Sequence, residues 1–270
     1  MNDLGPRIEA FLRRQHPRAH KVAVQDVTIH TEGFSQETFS FRSAVDDVTG
    51  SWVVKREPVS GLLEPYDLEP EFRVLHALSD DPLPSPRTPW FERDPRVLDR
   101  PFYVMERLAG EVPIPVAGAS GEGPFAAAER AALGPEVMRA LAQLHAVDWH
   151  ARGLEFLGVP APHDAAAREV ARWQARIDAS GLAPDPVLTE ALLWLRRHAP
   201  ASDRVALLHG DYRLGNWLIE RGAGGPRLSG ILGWEMVHLG DPIEDVAWCI
   251  SHLWRGQTPR AACLAAPDDL

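Results

Sequence analysis

The chain has 270 residues, enough for one large domain or for two lobes with a sizeable core. Its formal net charge of −10 at pH 7 argues against non-specific binding to nucleic acid, because phosphates attract an excess of Lys and Arg. Two cysteines are too few for a disulfide framework or a four-cysteine zinc site, which favours a reducing compartment.

The N-terminal segment MNDLGPRIEAFLRRQHP is charged and lacks the apolar core of a signal peptide. No apolar run approaches the ~20 residues needed to span a membrane. We therefore expect a cytoplasmic protein that binds neither membrane nor nucleic acid.

The first half of the chain predicts an antiparallel sheet flanked by helices. Apolar residues at helical spacing predict two helices, at residues 4–14 and 68–78. Runs of β-branched and aromatic residues predict four strands, at residues 22–29, 39–45, 51–55 and 100–108. A turn is predicted at residues 46–50, between the second and third of them. This order indicates an antiparallel meander, and the last strand would connect two lobes.

Three features of this half carry weak signals of phosphate binding. The turn Gly33–Thr38 has a glycine and small hydroxyl residues that let backbone N–H groups approach phosphates, although many hairpin turns share this composition. Lys55 ends a predicted strand. A lysine at such a position is more often exposed to solvent than bound to a phosphate. Glu71 lies on the second predicted helix, where it is either favoured by the helix dipole or orients Lys55.

The second half is predicted to be mostly helical. Amphipathic patterns predict helices at residues 136–145, 165–180, 187–198 and 243–253. His145 and His150 flank the end of the first of these, where capping or packing is favoured over metal ligation. The sequence contains no internal repeat, Walker P-loop, CxxC or GxSxG motif.

The segment HGDYRLGN at residues 209–216 has the His-x-Asp-x-x-x-x-Asn spacing of a kinase catalytic loop. In such a loop the aspartate, here Asp211, receives the proton of an attacking hydroxyl, and the asparagine, here Asn216, offers its amide oxygen to magnesium. The strand after the next turn should supply a second carboxylate, but that position is Gly233. Glu235 lies two residues further on, on the same face if the strand continues, and could compensate.

Seven segments together carry a resemblance to one family. They are GFSQETFSF at 33–41, VVK at 53–55, EFRVLHAL at 71–78, PFYVMERLAGE at 101–111, LAQLHAVDW at 141–149, HGDYRLGN at 209–216 and ILGWEMVHLGDPIEDVAW at 231–248. In this order they resemble the aminoglycoside phosphotransferase and choline kinase-like family of small-molecule kinases. The resemblance is strongest to the branch related to the kinase-like domains of certain acyl-CoA dehydrogenases.

The resemblance implies an α+β fold of the protein-kinase-like, bilobal type. An N-terminal nucleotide-binding lobe, with an antiparallel sheet and a helix, would occupy residues 1–107. A mostly helical catalytic and substrate lobe would occupy residues 108–270. Because family members usually continue for several helices beyond the GDP segment at 240–242, we expect the second lobe to be C-terminally truncated.

The resemblance also implies roles for individual residues, with ATP and Mg²⁺ as cofactors and a small hydroxylated molecule as substrate. Asp211 would be the catalytic base, and Lys55 would contact the phosphates and pair with Glu71. Asn216 would hold the metal, and Glu235 is the nearby carboxylate that could take the place of the missing aspartate as a second metal ligand. Gly33, Ser35 and Thr38 would cover the phosphates of the nucleotide. Glu106 and Leu108 would present backbone groups to its adenine.

Three hypotheses for the function follow. The first is an ATP-dependent O-phosphotransferase acting on a hydroxyl of a small molecule, impaired because Gly233 occupies the position of a metal-binding aspartate. The alternative is a catalytically weak, pseudokinase-like protein that binds a nucleotide or metabolite. The third is a metal hydrolase that would use His145, His150, His209 and Asp211. The sequence has no compact metal-ligand motif to support it. The acceptor, the choice between ATP and GTP and the oligomeric state are not fixed by the sequence.

Overall fold

The computed structural model describes residues 3–30, 37–59, 66–113, 125–181 and 183–251. Its contacts divide the chain into two compact units. The first comprises Met1–Glu111, Leu218–Arg221 and Leu228–Glu235, and the second comprises Val112–Trp217, Gly222–Arg227 and Met236–Leu270. The first unit is therefore assembled from three separate stretches of the chain.

The first unit is built on a five-stranded antiparallel sheet. Its strands are β1 (Val22–His30), β2 (Glu37–Val45), β3 (Val48–Arg56), β4 (Trp90–Glu92) and β5 (Phe102–Glu106). Their order across the sheet is β1-β2-β3-β5-β4. The same unit contains the helices α1 (Leu4–Gln15), α2 (Glu69–Ala77) and α3 (Pro95–Leu98). The predicted meander and its two predicted helices are confirmed.

Helix α1 packs on the sheet through the face that its sequence predicts. Ile8, Phe11 and Leu12 are buried and join the core cluster of this unit. The ring of Phe11 meets that of Phe102 edge-on, with centroids 5.1 Å apart. Burial of each large apolar side chain contributes about 1.5–3 kcal/mol, so this face accounts for the attachment of the helix.

The turn between β2 and β3 is shorter than predicted. Asp46 has a φ angle of 50°, in the left-handed region that Asp tolerates better than most residues. Its Oδ1 accepts hydrogen bonds from the backbone N–H groups of His20 and Lys21, at 2.9 and 2.8 Å. The strands therefore run to Val45 and from Val48, through positions assigned to a turn at 46–50.

Two later stretches complete the first unit. They come from the hairpin of β7 (Trp217–Gly222) and β8 (Gly225–Ile231) and from the residues after it. The backbones of Ile219 and Glu111 exchange two hydrogen bonds, at 2.9 and 3.1 Å. The N–H of Ile231 donates to the carbonyl of Pro84 at 2.7 Å.

The second unit is mostly helical, as predicted. Its helices are α4 (Ala127–His145), α5 (Ala165–Ala179), α6 (Pro186–His198) and α7 (Ile243–Cys249). Helix α4 unites the amphipathic helix predicted at residues 136–145 with the alanine-rich stretch before it, which is also predicted to be helical because alanine is the best helix former. Two short strands, β6 (Ala206–Leu208) and β9 (His238–Gly240), pair antiparallel with Leu208 opposite His238. This pair supports the segments HGD and GDP that follow each strand.

The fold is thus α+β, with an antiparallel N-terminal sheet and a helical remainder. Among the described helices, none combines the length and apolar character needed to cross a membrane.

Candidate active site

The loop that follows β6 is held in place by glycine and a buried histidine. His209 is fully buried, and its Nδ1 accepts a hydrogen bond from the N–H of Asp211 at 3.2 Å. Gly210 has a φ angle of 79°, and a Cβ atom there would collide with the carbonyl of Met236. The loop conformation therefore requires glycine at this position, and it turns Asp211 out of the buried strand.

Asp211 and Asn216 are brought together across this loop. The side-chain Nδ2 of Asn216 donates to Asp211 Oδ2 at 2.7 Å and to the backbone carbonyl of Asp211 at 2.8 Å. No residue in the described part of the chain donates a hydrogen bond to the Oδ1 of Asn216. The motif therefore folds so that one oxygen of Asn216 is available to a ligand while its nitrogen fixes the carboxylate.

The other oxygen of Asp211 is fixed by two donors that sequence reasoning missed. Arg213 Nε donates to Asp211 Oδ1 at 2.9 Å, and the indole Nε1 of Trp248, on α7, donates to the same atom at 2.6 Å. Arg213 could have been noticed from its place within the motif. Trp248 lies 37 positions away and gives no local signal.

The loop is anchored to α7 through Asp245, which is completely buried. Its carboxylate accepts hydrogen bonds from the N–H groups of His209 and Gly210, both at 2.8 Å, and from His145 Nε2 at 3.0 Å. Burial alone would raise the pKa of Asp245, but these donors outweigh it and hold the pKa below its usual value. The charged carboxylate thus ties α4, the loop and α7 together.

Replacing Asp245 with Asn should destabilise the protein by about 1–3 kcal/mol, because an amide nitrogen would then face a buried donor. Urea unfolding followed by circular dichroism measures the loss. Asp241→Asn is the matched control, since Asp241 accepts one exposed bond from Ile243 that Asn can also accept. Equal stability of the two variants would contradict the anchoring role of Asp245.

Lys55 lies on β3 in the first unit. In the strand register it stands opposite Thr38 of β2 and Tyr103 of β5, so these side chains share one face of the sheet. Gly33 and Ser35, the other residues predicted to cover the phosphates, lie outside the described residues. The structure therefore gives the strand positions of Lys55 and Thr38 and no information on the predicted turn.

The role predicted for Glu71, to pair with Lys55, stays a prediction. Glu71 is buried on α2, near the hydroxyl of Tyr103, whose side chain is also fully buried. Burial raises the pKa of Tyr103 well above its ordinary value, and the negative charges of Glu71 and Glu235 raise it further. Glu71 therefore lies beside a neutral phenol that shares a sheet face with Lys55.

The condition that β8 continues to Glu235 is not met. The strand ends at Ile231, Gly233 takes a left-handed φ angle of 76°, and a short 3₁₀ helix covers Trp234–Met236. The buried indole of Trp234 fixes this bend by donating to the carbonyl of Ile231 at 2.8 Å. Strand alternation therefore does not place Glu235 on the face of residue 233.

Residues 106–108, which are predicted to present backbone groups to adenine, lie at the end of β5 and directly after it. The N–H of Glu106 donates to the carbonyl of Arg87 at 2.8 Å, and that of Arg107 donates to Ser51 at 2.9 Å. The N–H of Leu108 has no acceptor among the described residues. Leu108 is therefore better placed than Glu106 to donate to a ligand.

The residues predicted for magnesium fit that ion only in part. Asn216 offers an amide oxygen that accepts no hydrogen bond from any described residue, a ligand type that Mg²⁺ accepts. Gly233 offers no side-chain oxygen at the position where a carboxylate is expected. Glu235 is a carboxylate of the first unit and Asn216 belongs to the second.

The sequence model of the phosphotransferase enzyme family matches residues 26–268. The chain belongs to this family. Acyl-CoA dehydrogenase family member 11 of Rattus norvegicus is 29% identical over 247 residues, which cover 89% of this chain and 30% of that protein. Acyl-CoA dehydrogenase family member 10 of Mus musculus is 28% identical over 236 residues, which cover 86% of this chain and 21% of that protein. The chain thus spans less than a third of either relative.

Solved structures agree with this assignment. A crystal structure from Ralstonia eutropha JMP134, provisionally described as an aminoglycoside phosphotransferase, has a TM-score of 0.71 and 27% identity, covering 97% of this chain and 76% of that one. The ternary complex of streptomycin, ATP and APH(2″)-IIa has a TM-score of 0.56 at 18% identity, covering 88% of this chain and 74% of that one, and shows the fold alone. The predicted family and the predicted kinase-like fold are confirmed.

The metal-hydrolase hypothesis finds no support in this phosphotransferase-family chain. His145 is bonded to Asp245, and the exposed His150 is paired with Glu155. Among the described residues, the group that could hold a metal is a different one, on α5, β9 and α7.

Proposed function

We propose that this protein transfers a phosphoryl group from ATP to a hydroxyl of a small molecule. The observation that carries the proposal is the 2.7 Å bond from Asn216 Nδ2 to Asp211 Oδ2, which fixes the carboxylate and leaves Asn216 Oδ1 to a ligand. Membership of the phosphotransferase enzyme family supports it. The ATP complex of a protein with the same fold supports a nucleotide as the donor.

In this proposal Asp211 orients the acceptor hydroxyl and takes its proton as the oxygen attacks phosphorus. The bond from phosphorus to the leaving oxygen of the nucleotide breaks in the same displacement. Arg213 and Trp248 hold Asp211 in one rotamer, which keeps its carboxylate aligned with the acceptor. Arg213 also adds a positive charge beside the reacting groups, of the kind that phosphoryl transfer uses.

Magnesium, when bound, would neutralise charge on the phosphate oxygens. We propose Asn216 and Glu235 as its ligands, with Gly233 leaving the site short of one carboxylate. On this basis the protein is a slow phosphotransferase. The alternative, a nucleotide- or metabolite-binding pseudokinase, is favoured by Gly233 alone.

The nucleotide would be bound by residues of the first unit. Lys55 would contact the phosphates, Leu108 N–H and the backbone of Glu106 would contact the adenine, and Thr38 would support the phosphate turn with Gly33 and Ser35. We propose residues 1–107 as the nucleotide-binding lobe and residues 108–270 as the catalytic and substrate lobe. Cys249 is a buried free thiol, which is consistent with the cytoplasmic location we propose.

Replacing Lys55 with Ala should weaken ATP binding roughly tenfold to a hundredfold and leave adenosine binding unchanged, because the ammonium would contact phosphates alone. Calorimetric titration with both ligands measures this. Lys21→Ala is the matched control, since Lys21 is exposed at the start of the sheet. Equal losses for ATP and adenosine would show that Lys55 does not act through phosphates.

The function is tested by release of ADP from magnesium–ATP in the presence of a panel of hydroxylated metabolites and aminoglycosides. We expect at least one acceptor to raise ADP release above the rate with water, and mass spectrometry to find a phosphate monoester. Tight nucleotide binding with no phosphorylated product from any acceptor would favour the pseudokinase alternative.

A further inference from the structure

Three side chains of the second unit converge at a position that the proposed phosphotransfer does not use. Glu169 lies on α5, His238 on β9 and Glu244 on α7. His238 Nε2 is 3.2 Å from Glu244 Oε2 and 3.8 Å from Glu169 Oε2. One nitrogen or oxygen atom from each residue lies within 4.8 Å of the other two. All three side chains are largely shielded, with 14%, 16% and 30% exposure for His238, Glu169 and Glu244.

The spacing of these atoms fits a tetrahedral metal ion. Ligand bonds of about 2.1 Å to nitrogen and oxygen place neighbouring ligand atoms about 3.4 Å apart in a tetrahedron. The two distances from His238 Nε2 lie on either side of that value. Imidazole nitrogen and carboxylate oxygen are also the ligand types that zinc takes in proteins.

The orientation of the imidazole fits as well. His238 Nδ1 is 2.9 Å from the backbone carbonyl of Met236, to which it donates, and this bond turns Nε2 toward the two carboxylates. Metal-bound histidines usually donate their second N–H to a carbonyl or carboxylate in this way. Glu169 is fixed in turn by Arg172, whose Nε donates to Glu169 Oε2 at 2.7 Å. Each of these two ligands is thus held by a partner outside the group of three.

The electrostatics of the position favour an added positive charge. Burial lowers the pKa of His238, but the hydrogen bond that it donates to Glu244 and the negative charges of Glu244 and Glu169 raise it overall. Arg172 and Arg176, on the same helix as Glu169, oppose a cation. With His238 neutral, the two carboxylates of Glu169 and Glu244 offset the charges of Arg172 and Arg176, so the position carries no net positive charge.

We propose that Glu169, His238 and Glu244 bind one divalent transition-metal ion such as Zn²⁺, with a fourth position open to water. The site is separate from the magnesium ligands proposed above and does not depend on the proposed phosphotransfer. It would join α5 to β9, which pairs with β6 before the catalytic loop, and to α7, which carries the anchor Asp245 next to Glu244. A bound ion should therefore stabilise the loop as well as the unit.

The test uses the full chain, stripped of metal by dialysis against a chelator. Co²⁺ titration should give the intense visible absorption of a four-coordinate ion, saturating at about one equivalent, and Zn²⁺ should abolish it. Excess Mg²⁺ should not, because it prefers six oxygen ligands. Calorimetry with Zn²⁺ gives the affinity, and thermal melting should show a rise in Tm with Zn²⁺ that depends on its concentration.

Two variants locate the site. Glu244→Gln and His238→Gln should each weaken Zn²⁺ binding by at least about tenfold to a hundredfold, since even the loss of an outer partner has that effect. His163→Gln, at an exposed histidine of the same unit, should bind Zn²⁺ like the wild type. Circular dichroism checks that each variant folds. If His238→Gln does not fold, Glu244→Gln still tests the site.

The proposal is overturned if the wild type binds no stoichiometric Zn²⁺ or Co²⁺, which would leave the three residues as an ion-paired cluster only. It is also overturned if both folded ligand variants bind Zn²⁺ as tightly as the wild type. Neither result bears on phosphotransfer, because the readouts are absorption, heat and melting temperature.

Discussion

Replacing Asp211 with Asn should lower the rate of phosphotransfer by about 10²- to 10⁴-fold, the usual contribution of a positioned proton acceptor. The amide is the same size as the carboxylate but cannot take the acceptor proton. Asp211 is half-buried and lies in a loop anchored by Asp245, so the fold should survive. Steady-state kinetics with the best acceptor, and nucleotide affinity by calorimetry, measure the two effects.

Asp203→Asn, at an exposed aspartate shortly before β6, is the control for the loss of one negative charge. It should retain full activity. A folded Asp211→Asn protein that turns over at the wild-type rate would remove Asp211 from the reaction and with it the proposed function of the loop.

Replacing Gly233 with Asp should raise magnesium-dependent turnover by roughly a hundredfold or more. Electrostatic groups that act on the transferring phosphate commonly contribute about 3 kcal/mol. The backbone at Gly233 has a φ angle of 76°, a region in which Asp is less strained than most residues, so the substitution should cost only about 1–2 kcal/mol of stability. The gain should appear with magnesium present and disappear with a chelator.

Gly233→Asn provides the matched comparison, because asparagine tolerates the same backbone conformation and has the same size without the charge. Gly233→Asn should raise magnesium-dependent turnover much less than Gly233→Asp does. Glu235→Gln in the wild-type background tests whether Glu235 already acts as a metal ligand, in which case turnover should fall sharply. Fast turnover by the wild type, with no increase in Gly233→Asp, would show that the missing carboxylate is supplied elsewhere.

The sequence predicted the parts of this protein that depend on local periodicity or on a motif. The apolar face of α1 was evident because its residues repeat at helical spacing, and the motif that contains Asp211 and Asn216 was evident from a fixed spacing within one loop. The bend at Gly233 was missed because a strand pattern does not report a φ angle. The strand therefore ended at Ile231, four residues before Glu235.

Contacts between distant segments were beyond sequence reasoning for a different reason. Trp248 and Asp245 act on the loop through hydrogen bonds whose geometry depends on how α7 packs, and nothing in their own neighbourhood shows this. Tyr103 is similar, since its burial beside Glu71 depends on the position of α2 over the sheet. Such residues could be named only once the structure had been seen.

The first compact unit draws on stretches far apart in the chain, and this has a consequence for biosynthesis. The backbones of Glu111 and Pro84 await hydrogen-bond partners at Ile219 and Ile231. At elongation rates of about 5–20 residues per second, roughly 120 further residues take about 6–25 s to be added. During that interval the nascent N-terminal sheet would present unsatisfied backbone groups and uncovered apolar surface. Chaperones that act on ribosome-bound chains would meet this protein with its first unit still incomplete.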